Sequence, residues 1–124
     1  MVSTDPLPDR MPAAINALIE AVETNLTAAA GDASLCLIGK ERRGAGQVKY
    51  LEGQYFALKT VKRLVEQDAT TPPAHLADAL RPKLAKAEKM LAHYQSTDQA
   101  NADWVHYYQG EIDGYRQGMA VVTG

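Results

Sequence analysis

The sequence predicts an all-α fold, a single-domain bundle of about four helices. Three observations carry this. Four segments repeat apolar residues at steps of three and four, and no segment alternates apolar and polar residues as a half-buried strand would. At 124 residues the chain is the size of one domain and long enough to bury a core without disulfides. Its 46% hydrophobic and 23% charged residues are those of an ordinary globular chain. The expected division is a flexible N-terminal arm, residues 1–9, and a helical domain, residues 10–124.

The first helix is expected over "MPAAINALIEAVETNLTAAAG", where Met11, Ile15, Leu18, Val22, Leu26 and Ala29 form the stripe. Pro12 suits a first turn and Gly31 a stop. The second, "GQVKYLEGQYFALKTVKRLVEQ", lines up Val48, Leu51, Tyr55, Leu58 and Val65 from a start near Gln47. Between them, the "LCLI" of "SLCLIG" suits a helical turn or a short extended piece equally well. The third helix has Thr71 as candidate N-cap. Leu76, Leu80, Leu84, Ala87, Leu91 and Tyr94 keep one phase across Pro82, so one helix kinked near Pro82 is expected. The fourth is expected from "STDQ", with Ser96 and Gln99 as a capping box, through Trp104, Tyr108, Ile112, Tyr115, Met119 and Val122.

Gly110, Gly114 and Gly118 recur every four residues inside that last helix, although glycine there costs roughly 1 kcal/mol relative to alanine. At about 100° per residue they fall beside the main apolar arc, together with Tyr107. A stripe without side chains lets a second backbone approach closely. Gly53 and Ala57 of the second helix offer a counterpart within the chain, and a second copy of the chain offers another.

Charge and motifs narrow the function classes. A net charge of -2 gives no bulk footprint for nucleic acid, and a helix-turn-helix finds no tight turn after the second helix, where "EQDATTPP" follows. No signal-peptide pattern and no apolar run of about 20 residues is present, so a cytoplasmic setting without a membrane partner is expected. The lone Cys36 is expected as a small buried hydrophobe. His75, His93 and His106 share no ligand spacing, and no metal or other cofactor is expected. The "EAVE" at Glu20 and Glu23 resembles the first half of the ExxE and ExxD magnesium motifs of all-α nucleotide pyrophosphohydrolases. Neither "EQD" nor "EID" supplies the second half, so Glu20 and Glu23 are expected on a solvated face. No nucleophile motif appears, and catalysis is not expected.

Two surfaces remain. Phe56 points away from the Leu51–Leu58 stripe, among Lys59, Arg63 and other polar residues, and suits a protein partner. Lys40, Arg42, Arg43 and Lys49 surround glycines in "GKERRGAGQVK" and suit an anion at a helix start. The expected function is a non-catalytic binding or adaptor protein acting through protein contacts. Self-association through the glycine stripe would fit it, as would a phage or mobile-element setting by fold-level analogy. The alternative is a binder of a nucleotide or other small phosphorylated ligand through the basic glycine-rich loop.

Overall fold

The structure, a computed structural model, describes residues 7–33, 42–67, 72–96 and 102–123. They form four α-helices: α1 (Leu7–Ala33), α2 (Arg42–Gln67), α3 (Pro73–Ser96) and α4 (Ala102–Thr123). The fold is an all-α four-helix bundle. Among the described residues, α2 and α4 make the most extensive pairing. The α1 helix packs mainly on α2, α3 packs mainly on α4, and α1 and α3 do not meet.

The core joins Ile15, Ile19 and Val22 of α1 to Leu51, Leu58 and Val61 of α2. Leu76, Ala77 and Leu80 of α3 and Ile112, Tyr115 and Val122 of α4 complete it. The three- and four-residue steps on each helix explain why one face of each is buried. Pro82 lies inside a continuous α3, and buried Leu80 and half-buried Leu84 on either side of it face one core. The missing proline N–H removes one backbone bond while the packing phase is kept.

Several boundaries differ from the sequence expectation. The α1 helix already starts at Leu7, taking in residues 7–9 of the expected arm, and continues past Gly31 to Ala33. A glycine weakens a helix without having to end it. The α2 helix starts at Arg42, five residues before Gln47, so Gly44 and Gly46 are helical. Gly46 is buried, and an added Cβ there would sit 3.1 Å from the His106 ring, which occupies the space. Ser96 closes α3 instead of opening α4, its hydroxyl donating to the His93 carbonyl at 2.8 Å. Gln99, Thr71 and the "LCLI" segment with Cys36 lie outside the described residues.

The glycine stripe of α4 faces α2 of the same chain. A Cβ on Gly110 would lie 1.8 Å from the Tyr50 carbonyl oxygen, and one on Gly53 1.9 Å from the Tyr107 carbonyl oxygen. On Gly114 it would meet the Ala57 Cβ at 2.8 Å, and on Gly118 a Val61 methyl at 2.5 Å. The pairs Gly46–His106, Tyr50–Gly110 and Gln54–Gly114 advance together along both helices, so α2 and α4 run parallel with their backbones in contact. Two polar rungs follow the same register. The Tyr50 hydroxyl donates to Asp113, and the Gln54 amide donates to the Gln117 side-chain oxygen at 2.8 Å.

Candidate functional site

The parallel contact of α2 and α4 leaves a groove on one side of the seam, closed by α3. Phe56 from α2 stands on one wall, Lys83, Lys86 and Met90 from α3 on another. The remaining wall and floor come from Trp104, Tyr107, Tyr108, Glu111 and Tyr115 of α4, and the cavity measures about 360 Å³. Phe56 is 49% exposed and Trp104 47%, and these are the two large hydrophobic side chains left exposed among the described residues. Both line the same groove.

Trp104 was expected on the apolar stripe of α4. It sits in the first turn of that helix, close to the C-terminal end of α3, and packs sideways on Tyr94 instead of into the core. Trp104, Tyr94 and Tyr108 lie near-parallel, with centroids 5.9 Å to 6.1 Å apart. Tyr107 meets Trp104 and Tyr108 edge-on at 5.8 Å and 5.2 Å. Offset and edge-to-face pairs are the arrangements the ring quadrupoles favour, so the block is self-supporting.

Glu111 is only 9% exposed, the one acidic side chain buried among the described residues. Burial pushes its carboxyl above the usual carboxylate range, while the Tyr107 hydrogen bond and the Lys86 charge pull the other way. The same contact acts on Tyr107. Burial first, then the charge of Glu111 and the hydrogen bond to it, raise the phenol well above its ordinary value. Burial also raises Tyr115, with the Glu111 charge adding to it and Thr60 and Arg63 opposing. Burial and the neighbouring Glu111 thus both favour the protonated phenol of Tyr107.

Glu111 is not among the site residues expected from the sequence, where the spacing of "EID" set it aside as a magnesium ligand. The signal was present, because Glu111 is four residues after Tyr107 and four before Tyr115, which stacks all three on one helix face. Asp113, two residues after Glu111, points the other way. It accepts from Tyr50 on the far side of α4, beside a second depression of about 430 Å³ bordered by the Arg116–Glu88 ion pair. Burial, then the hydrogen bond to Asp113, raises the Tyr50 phenol to about 12.

The residues singled out in the sequence separate. Phe56 lines the groove, whereas Lys59 and Arg63 line a neighbouring depression of about 420 Å³ with Lys62. Lys59 reaches over the Tyr55 ring, 5.7 Å from its centroid, and Arg63 is near enough to Tyr115 to act on its phenol. Tyr107 belongs to both the seam and the groove, and Gly110, Gly114 and Gly118 are buried against α2. As a contact between protomers this stripe is already filled by α2. Lys40 and the side chains of Arg42 and Arg43 lie outside the described residues. Lys49 is paired with Glu52 at 3.3 Å, and the helix start assumed near Gln47 is the interior of α2. An anion site at that position therefore lacks its free N–H groups.

Glu20 and Glu23 are exposed, and Glu23 accepts a hydrogen bond from Tyr55 at 3.2 Å. Among the described residues no three His, Cys, Asp or Glu side chains converge as metal ligands, and no helix is long and apolar enough to cross a membrane. No protein-family model, curated protein or solved structure matches the chain.

Proposed function

We propose that the protein is a non-catalytic binding protein that engages another protein through the groove between α2, α3 and α4. The observation that carries this is the convergence of Phe56 and Trp104 on one concavity. A lone exposed apolar residue is ordinary, but here the two large exposed ones come from different helices and line one groove. Tyr, Trp and Arg are the residues on which binding energy concentrates, and Tyr107, Tyr108 and Arg63 adjoin the pair. At its base Tyr107 and Glu111 interact with each other, which helps to hold the recognition surface rigid.

The Lys59 and Arg63 depression then forms a charged rim beside an aromatic centre, the usual anatomy of an interface. The test is affinity capture from host-cell extract with the wild-type chain, Phe56→Ala, Trp104→Ala and Gln95→Ala. Gln95 is exposed and borders the opposite depression, so it serves as control. A protein retained by the wild type and by Gln95→Ala, but lost from both groove variants at unchanged melting temperature, is the expected result. Identical capture by all four would remove the groove from the function.

A further inference from the structure

The groove combines three properties that together describe its partner. It is small: 360 Å³ lies at the low end of the roughly 300–1,000 Å³ of small-ligand sites, room for one large side chain and not for a folded domain. Five of its nine lining residues are aromatic, namely Phe56, Trp104, Tyr107, Tyr108 and Tyr115, with Met90 as an adaptable apolar neighbour. Its exposed charge is positive, although the chain as a whole carries -2.

The charge follows from position. Lys83 and Lys86 are exposed on the α3 wall, and Lys59 and Arg63 are exposed on the adjoining surface of α2. The one carboxylate of the groove, Glu111, is buried, hydrogen-bonded by Tyr107 and within the field of Lys86. An approaching molecule therefore meets Lys83 and Lys86 on the groove itself, and beside it Lys59, Lys62 and Arg63 against the single acid Glu66, while Glu111 is buried. A basic rim on an acidic protein steers anionic partners toward that rim and repels cationic ones.

Resting on the protein-binding reading above, we infer that the groove takes an acidic protein segment carrying one large apolar side chain. The side chain enters between Phe56 and Trp104, and flanking Asp or Glu residues meet Lys83 and Lys86. The ring block argues against the other anionic partner, a single-stranded nucleic acid. Trp104 and Tyr108 are ring partners of one another and of Tyr94, whereas base stacking uses free ring faces along a basic track. A buried carboxylate at the floor is also unfavourable to a phosphate chain.

The experiment is selection of a random peptide display library on the full-length chain. Binding of the selected peptides, and of a fluorescein-labelled oligo-dT, is then measured by fluorescence anisotropy. Trp104, the only tryptophan, reports occupancy directly through its emission. The variants are Phe56→Ala, Trp104→Ala and the double change Lys83→Glu with Lys86→Glu. Both lysines are exposed, so the last is expected to fold, and a thermal melt verifies it.

Enrichment of peptides with Asp or Glu around an aromatic or aliphatic residue supports the inference, if the lysine double variant weakens them at least about tenfold and added salt weakens them too. Peptides that need Phe56 and Trp104 but show no acidic bias, or bind the double variant undiminished, overturn the charge assignment and leave the protein-binding reading standing. No enrichment, or peptides indifferent to Phe56 and Trp104, overturns both. Oligo-dT binding tighter than any peptide, with quenching of Trp104, overturns both in favour of nucleic acid.

Discussion

Alanine at Gly110 poses the sharpest test of the α2–α4 contact, because the two sides of its energy balance differ in sign. In an exposed helix the change would stabilise the protein by roughly 1 kcal/mol through helix propensity. Here the new Cβ would lie 1.8 Å from the Tyr50 carbonyl oxygen and 3.0 Å from the Gln54 amide nitrogen. Both atoms belong to the α2 backbone, which has no rotamer to change. Ordinary contact begins near 3.4 Å, so α2 must retreat by about 1.5 Å and loosen its packing on α4. Overpacking of a core commonly costs about 1–3 kcal/mol, and a rigid backbone neighbour puts this site at or above the upper end. The expected net loss is about 2–3 kcal/mol, a fall in Tm of roughly 10 °C for a domain this size.

Gly53→Ala should match it, because its Cβ would meet the Tyr107 carbonyl oxygen at 1.9 Å. Gly118→Ala should cost least, since only the Val61 side chain stands in the way. Thermal and urea unfolding followed by circular dichroism would give the order Gly110 and Gly53, then Gly114, then Gly118. Val61→Ala should relieve the Gly118 change and not the Gly110 change, a difference readable as a coupling energy. A higher Tm for Gly110→Ala would refute the reasoning, because propensity would then act without a backbone opposing it. Unchanged Tm with dissociation of an oligomer would instead place the stripe between protomers.

Three further outcomes follow from the titratable groups. Glu111→Gln keeps an acceptor for Tyr107 and removes a buried charge, so Tm should rise by a few degrees at neutral pH. The sign comes from the raised carboxyl: its favourable contribution is fully present below 4.5, the ordinary value, and is lost as pH rises through the folded value. The two melting curves should therefore converge below pH 4.5, and coincidence at neutral pH would sink the argument. Tyr50→Phe should lose about 1–2 kcal/mol in urea titrations by stripping a hydrogen bond from a charged acceptor, with no loss if Asp113 is solvated instead. In the wild type the Tyr50 contribution should hold below pH 10 and disappear as pH rises through about 12. Gly114→Ala, by moving Ala57 and with it Phe56, should hydrate Glu111 and lower its titration midpoint, followed by Trp104 emission; an unmoved midpoint would separate the seam from the groove.

What the sequence made legible is what lies within one helix. The stripes of α1, α2 and α3 and the glycine arc of α4 are periodicities of a single segment, and wheel geometry places them without knowledge of any neighbour. What it hid depends on two segments at once. Phe56 reads as an aromatic among the charges of its own helix, while Lys83, Lys86 and Trp104 are brought to it by α3 and α4. Trp104 reads as core because it is in phase with Tyr108 and Ile112, but in the first turn of α4 the facing α3 is ending. Glu111 does not read as core because carboxylates are seldom buried unless paired. Its burial follows from the glycines. They let α2 come so close that a Cβ on Gly53 would touch the Glu111 amide nitrogen at 2.9 Å, which brings the wall bearing Phe56 against the tyrosines. With a side chain at Gly110 or Gly114 that wall would stand off, water would reach the carboxylate, and the aromatic surface would lose its depth. The glycine stripe is thus the packing device that builds the groove, through the counterpart that Gly53 and Ala57 offer within the chain.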